Sequence, residues 1–302
     1  MKVVKNSKDV SINHEELNKF AENLEKTKFK HWFSVSPFDI NKLSLKERIA
    51  YTFVLDSISF SYWGEPNWMV KHNAQEYNGA KAMMACIEKA IEKGTPILDP
   101  KYLSTIDKEK LDEILEGNVQ IPLFEERRNI LCELGKNTIK FGGYENIIKV
   151  SKNDAAELAN AIARIFPSFE DQSTYDGKKV FFYKRAQLLA ADIAHLLKGS
   201  SLEINHLEEL TACADYKLPQ VFRKKGILKY SEQLTYKIDN KIELKPDNRE
   251  VIEIRADTIH VVDLMAKMIG ATANEVNDYI WLLSQDKSFD DMPYMRVRTT
   301  AF

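Results

Sequence analysis

Apolar residues recur along this chain at helical rather than strand spacing. In 184–197, Leu188, Leu189, Ile193, Leu196 and Leu197 fall on one face at the three-and-four spacing of an α-helix. The same spacing predicts helices over 15–29, 46–62, 77–93, 108–116, 122–140, 155–165, 207–213, 219–225, 250–269 and 272–283. Beyond a short extended start near Val10 and Ile12, strand-like alternation is hard to find. Breakers punctuate the helical segments, among them Gly117, Gly142-Gly143, Pro167, Gly177, Gly199, Gly226, Pro246 and Gly270. Most connections are short, and neither a low-complexity linker nor a fixed-period repeat divides the chain. These features predict an all-α fold, a single compact helical domain spanning residues 1–302.

Several of these faces carry a charge where the pattern calls for burial. Lys184 lies one turn upstream of Leu188 on the same stripe, and a buried ammonium is costly unless paired. Asp215 closes the run LEELTACAD just before Lys217-Leu218-Pro219-Gln220, where Pro219 suits the first turn of a helix. An ammonium and a carboxylate on neighbouring helix ends are an electrostatic or acid/base pair for bond cleavage, or else a structural salt bridge. Asp56 interrupts an apolar line of Ile49, Phe53, Phe60 and Trp63. It either caps a local group or joins Phe60, Tyr62, Trp63 and Trp68 in holding a planar heterocycle. Arg255 shares a face with Val251, Val262 and Met265, which calls for a phosphate or for an ion pair with Glu253 or Asp56. Arg296 and Arg298 lie on one side of an extended segment, facing an anion or solvent.

Composition narrows the chemistry. The 43 Lys and Arg residues nearly cancel 45 Asp and Glu, so no net field favours nucleic-acid polymers or anionic membranes. Cys86, Cys132 and Cys213 form no CxxC pair, which fits free thiols in a reducing compartment; no apolar run approaches the roughly 18 to 20 residues of a membrane span. The expected location is cytoplasmic. No GxxxxGK[ST], strand-linked GxGxxG, HExxH or GxSxG occurs, and the six histidines form no ligand cluster in sequence, so neither a metal nor a cofactor is expected.

Ordered segments carry a more specific signal: FSYW (60–63), YNG (77–79), PLFEERRNIL (122–131), FGG (141–143), FPSF (166–169), FYKRAQLLAAD (182–192), ADYKLPQVFRKKGILKYS (214–231), VIEIRADTIH (251–260) and PYMRVR (293–298). In their joint order the chain resembles the queuosine salvage protein family, the queuosine 5′-phosphate N-glycosylases that release queuine. Met295 stands where other members often carry His. The resemblance implies a helical architecture similar to helix-hairpin-helix DNA glycosylases, although the GxG hairpin of those enzymes is missing. It places the catalytic aspartate at Asp215 and the family lysine at Lys184, and implies a small-molecule nucleotide as the substrate.

The implied reaction breaks the C–N bond between ribose 5′-phosphate and a 7-deazaguanine base. Purine hydrolases commonly protonate ring position 7, which here is carbon. Catalysis must therefore stabilise an oxocarbenium-like sugar and spread negative charge over the departing base. In this scheme Asp215 stabilises the sugar and activates water, while Lys184 orients Asp215 and keeps it ionised. Asp56 would bind the base edge or the cyclopentenediol amine. Phe60, Tyr62, Trp63 and Tyr216 frame the ring, and Lys217, Arg255, Arg296 and Arg298 are candidates for the 5′-phosphate. A DNA or RNA base glycosylase on the same architecture and a non-catalytic nucleoside-binding module are the rival readings.

Overall fold

The computed structural model describes residues 2–24 and 29–302. In chain order its elements are α1 (Lys2–Asn6), β1 (Val10–Ile12), α2 (His14–Glu22), α3 (Leu45–Ser57), β2 (Met69–His72), β3 (Gln75–Asn78), α4 (Gly79–Glu92), α5 (Pro100–Ser104), α6 (Lys108–Ile114), α7 (Phe124–Lys140), α8 (Tyr144–Lys149), α9 (Ala155–Ile165), β4 (Gln172–Tyr175), β5 (Lys178–Phe181), α10 (Lys184–Leu197), α11 (Lys217–Lys224), β6 (Leu228–Tyr230), α12 (Glu232–Asp239), β7 (Glu243–Leu244), α13 (Arg249–Ile269), α14 (Ala273–Leu283) and β8 (Arg296–Val297). Helix accounts for 56% and strand for 9%, so the chain is mostly helical.

The all-α expectation needs one correction: among the described residues four two-stranded ladders tie the helices together. Two are hairpins, β2 with β3 and β4 with β5. The second turns through Asp176 and Gly177, both at positive φ, the backbone that a two-residue hairpin turn requires. Strand β1 pairs antiparallel with the distant β6, and β7 runs parallel to β8. Each hairpin feeds directly into a helix, β3 into α4 and β5 into α10.

Long amphipathic segments fold as their periodicity predicts: α9, α10, α13 and α14 match the expected spans closely. The helix expected over 15–29 ends at Glu22, capped by Asn23, and residues 25–28 of that expectation lie outside the described residues. The helix expected over 46–62 stops at Ser57, and the one over 77–93 begins at Gly79 behind a strand. Over 207–213 only a single 3-10 turn forms, at Leu207–Glu209. The rest of that stretch is extended because side chains take its backbone groups. Gln187 accepts the Thr211 N–H at 2.7 Å, Asn277 accepts that of Cys213 at 2.9 Å, and Arg255 donates to the Ala214 carbonyl at 3.1 Å.

Two apolar clusters make the core. One is built on α3, α4, α7, α9 and α10, the other on α2, α11, α13, α14 and the segment after α14. Ile193 and Leu189 of α10 are fully buried in the first, each contributing about 1.5–3 kcal/mol. Trp281 packs against both clusters. Among the described residues no helix is long and apolar enough to cross a membrane.

Candidate active site

A cavity of about 330 Å³ opens where the two clusters meet. Phe60, Leu188 and Cys213 reach it from the first cluster, and Trp63, Tyr216, Leu218 and Phe302 from the second. Its size falls in the range of small-molecule sites.

Lys184 reaches the cavity as the first residue of α10. The residue before it, Tyr183, has a left-handed backbone (φ 47), uncommon for a side chain with a Cβ. That conformation is held by the Asp171 carbonyl, which accepts the N–H groups of Phe182 and Tyr183 at 2.9 and 3.2 Å. The Asp171 carboxylate then accepts the Lys184 N–H at 3.0 Å, capping the helix from outside its own sequence. Lys184 is only 7% exposed, and no carboxylate of a described residue forms a contact ion pair with its Nζ.

Asp215 sits on the same cavity, 8% exposed. Its Oδ1 accepts the N–H groups of Lys217 at 2.7 Å and Leu218 at 3.2 Å, so it caps α11 while Oδ2 accepts nothing from a described residue. Pro219 follows as the third helical residue, where its missing N–H costs nothing. The orienting role expected of Lys184 thus falls to backbone amides.

The aromatic wall is an irregular loop after α3. Ser57 and Ser59 donate to the carbonyls of Val54 and Leu55 at 2.9 and 2.8 Å, which ends the helix. Two buried guanidiniums then seize the loop backbone: Arg127 donates to the carbonyls of Ile58, Phe60 and Ser61, and Arg185 to that of Ser57. The Phe60 ring lies under both, 4.1 Å from Arg127 and 5.1 Å from Arg185. Tyr62 stacks parallel to Trp68, and Trp63 donates to the Val297 carbonyl at 3.2 Å. Burial pushes the Tyr62 hydroxyl up to about 12 and that of Tyr216 well above its ordinary range, so both remain neutral hydrogen-bonding groups.

Of the expected site residues, Lys184, Asp215, Phe60, Tyr62, Trp63, Tyr216 and Lys217 line the cavity; Asp56, Arg255, Arg296 and Arg298 do not. Asp56 is completely buried behind it. Arg255 has its fork occupied by Asp171, at 2.8 and 2.6 Å, leaving no donor face for a phosphate. Neither Glu253 nor Asp56, the partners expected from sequence, takes part in that pair. Arg296 pairs with Glu65 at 2.5 Å, and Arg298 stacks on Trp63 at 3.6 Å while donating to its carbonyl. Lys217 reaches Gln220 at 3.2 Å, and burial lowers its pKa against the opposing pull of Asp215 and Asp290.

The sequence reading missed Trp32, Asn277, Asp278 and Trp281, all on the cavity. Asp278 is 4% exposed and raised above the usual carboxylate range by desolvation; it accepts the Trp32 N–H at 3.2 Å and the Asn277 amide at 3.3 Å. The cations Lys81 and Lys287 were missed as well. The start of α4, Asn78 to Lys81, also lines the cavity, and no side chain of a described residue caps that helix.

Among the described residues one cluster of metal-type donors forms away from the cavity, against the expectation that no histidine joins one. His72 Nε2 lies 3.2 Å from Glu88 and 3.8 Å from Glu92, all three donor atoms falling within 4.8 Å of one another.

Geometry and sequence now converge on a class: a mostly helical protein with an acid and an ammonium inside an aromatic-walled cavity sized for a small molecule. The chain belongs to the queuosine salvage protein family, which matches residues 39–300. It is 35% identical over 260 residues to the queuosine 5′-phosphate N-glycosylase/hydrolase of Sphaerobacter thermophilus, covering 83% of this chain and 80% of that one. The proteins of the same name from Mus musculus and Bos taurus are 33% and 30% identical, over 87% and 95% of this chain and 81% and 92% of theirs.

Proposed function

We propose that this chain hydrolyses the N-glycosidic bond of queuosine 5′-phosphate, releasing queuine and ribose 5-phosphate. The observation that carries the reading is that Asp215 and Lys184 open on one aromatic cavity in a chain of this family. With Oδ1 spent on the start of α11, Oδ2 of Asp215 is the oxygen available to the sugar and to the attacking water. An ionised carboxylate there stabilises the oxocarbenium-like transition state and takes the proton that water gives up. Lys184 supplies positive potential for the charge that develops on the departing base. Asp278 is the carboxylate placed to accept from the N–H edge of a guanine-like ring, and the rings of Phe60, Tyr62, Trp63 and Tyr216 frame its faces.

For the 5′-phosphate we assign the uncapped start of α4 with Lys81, helped by Lys217, in place of the arginines expected from sequence. The chain acts as one domain over 1–302, with an architecture like that of helix-hairpin-helix DNA glycosylases. Its near-neutral charge suits a small nucleotide rather than a nucleic-acid polymer. Three unpaired cysteines accord with work in the cytoplasm. The test is mass spectrometry of products from queuosine 5′-phosphate and from the unphosphorylated nucleoside. Free queuine from the nucleotide supports the reading, and intact nucleotide after prolonged incubation overturns it.

A further inference from the structure

The hairpin β2–β3 turns back through Asn73 and Ala74, both with left-handed backbones, and His72 is the last residue of β2 before that turn. Its imidazole meets the side of α4, where Glu88 and Glu92 stand four residues apart and therefore on one face. His72 Nε2 lies 3.2 Å from Oε2 of Glu88 and 3.8 Å from Oε2 of Glu92. The side chains of His72 and Glu88 are nearly enclosed, 8% and 7% exposed, while that of Glu92 is open to solvent at 56%. None of the three lines the cavity.

Hydrogen bonding does not account for this approach. Oε2 of Glu88 is buried and accepts no hydrogen bond from a described residue, so the nitrogen 3.2 Å away does not aim a proton at it. The Asn73 amide nitrogen lies 3.1 Å from the same Nε2, and an amide nitrogen can only donate, which makes Nε2 the lone-pair nitrogen of the ring. Neighbouring side chains leave the carboxylates uncompensated too. Among the described residues no lysine or arginine makes a contact ion pair with Glu88 or Glu92: Lys89 turns to Glu116 at 3.4 Å, Lys71 to Glu76 at 3.3 Å, and Lys42 acts on Glu88 from beyond contact range. Two carboxylates around one imidazole, one of them buried, call for a positive charge between them.

The spacing suits a metal ion. Zinc holds imidazole nitrogen and carboxylate oxygen at roughly 2.0–2.2 Å, so two such ligand atoms in a tetrahedron stand about 3.3–3.5 Å apart. The 3.2 and 3.8 Å separations bracket that edge, and all three donor atoms fall within 4.8 Å of one another. Glu92, on the solvent side, leaves the fourth position to water. A nitrogen ligand beside two carboxylates favours a first-row transition cation over magnesium or calcium, which take oxygen ligands.

We propose that His72, Glu88 and Glu92 form a binding site for a divalent transition-metal cation of the zinc type, which ties the β2–β3 hairpin to α4. The role is structural, and no step of the hydrolysis is assigned to it. Asn67 and Trp68 immediately precede β2, and β3 ends at Asn78; all three residues line the cavity, so the cation clamps one wall of the cavity from outside.

The full chain, stripped with EDTA and dialysed, tests this when titrated with zinc chloride by calorimetry beside His72→Gln and Glu92→Gln. The parental protein should take up one zinc per chain, and each variant should bind it on the order of tenfold or more weakly. Zinc should also raise the parental melting temperature and move that of Glu92→Gln less. Cobalt(II) in the same site should give a visible ligand-field band without the near-ultraviolet band of a thiolate ligand. Because Glu92 is exposed, its variant decides the matter should His72→Gln not fold. No saturable zinc uptake by the parental protein overturns the proposal, as does an affinity that Glu92→Gln lowers less than about tenfold. A thiolate band overturns it too, by placing the metal on a cysteine.

Discussion

Arg255 grips Asp171 through both guanidinium arms, at 2.8 and 2.6 Å, and through that contact one side chain of α13 governs both cavity charges. Asp171 caps the helix that begins at Lys184, while Arg255 Nε donates to the carbonyl of Ala214, next to Asp215. The guanidinium is itself sandwiched by the rings of Phe182 and Phe302, 4.0 and 4.2 Å away.

Truncating this arginine strands a buried carboxylate. Arg255→Ala should cost about 3–5 kcal/mol in urea unfolding, the range for breaking a buried ion pair from one side. Arg255→Lys keeps the charge but not the fork, so it should recover only part of the stability and leave kcat low. Full activity in Arg255→Lys would show that the bidentate geometry is irrelevant to the site.

Asp215→Asn removes a charge without removing a cap. The asparagine oxygen can still accept the N–H groups of Lys217 and Leu218, so the unfolding midpoint should move little. Queuine release should fall on the order of 10²-fold or more, since the lost carboxylate both stabilises the sugar and activates water. Parental turnover in this variant, measured by product mass spectrometry, would remove Asp215 from the mechanism.

Asp257 of α13 sets a pH dependence of stability unrelated to catalysis. Burial pushes its carboxyl up to about 7, with Ser7 donating to it at 2.7 Å. The folded state therefore binds this proton more tightly than the unfolded chain does. Stability from this group is fully present below the unfolded value of about 4 and is lost as pH rises toward about 7. Asp257→Asn should flatten the stability profile across that window and raise the unfolding midpoint at neutral pH. An unchanged slope would mean that Asp257 is ionised throughout.

Gly135 marks the crossing of α7 over α5. A Cβ there would lie 2.5 Å from the carbonyl oxygen of Pro100 and 2.8 Å from the Cα of Ser104, both backbone atoms that cannot step aside. Gly135→Ala should destabilise by about 1–3 kcal/mol despite the better helix propensity of alanine. Because the crossing does not line the cavity, KM should hold. A rise in the urea midpoint would show that the helices separate freely.

The parts of this molecule that could be read from sequence are those whose causes are local. Helices α9, α10 and α13 announce themselves because periodicity runs over many residues and alternatives would expose the stripe. Burial of Lys184 followed from the same pattern. The stretch from Ser57 to Trp63 and the run from Leu210 to Asp215 could not be read this way: their backbone partners are Arg127, Arg185, Gln187, Arg255 and Asn277, far away in sequence. Asp278 looked like any acid on an amphipathic helix until the fold set it on the cavity. Arg255 was correctly expected to face inward, but its partner, Asp171, carried no periodic signal at all.

Because the cavity lies on the seam between two apolar clusters, whatever fills it splints them together. A bound base that touches Phe60 from one side and Tyr216 from the other must be expelled before the clusters can part, so occupancy and cohesion are linked. Product queuine at 100 times its dissociation constant should then raise the unfolding free energy by about 2.7 kcal/mol, and calorimetry should register it as a later, still single, melting transition.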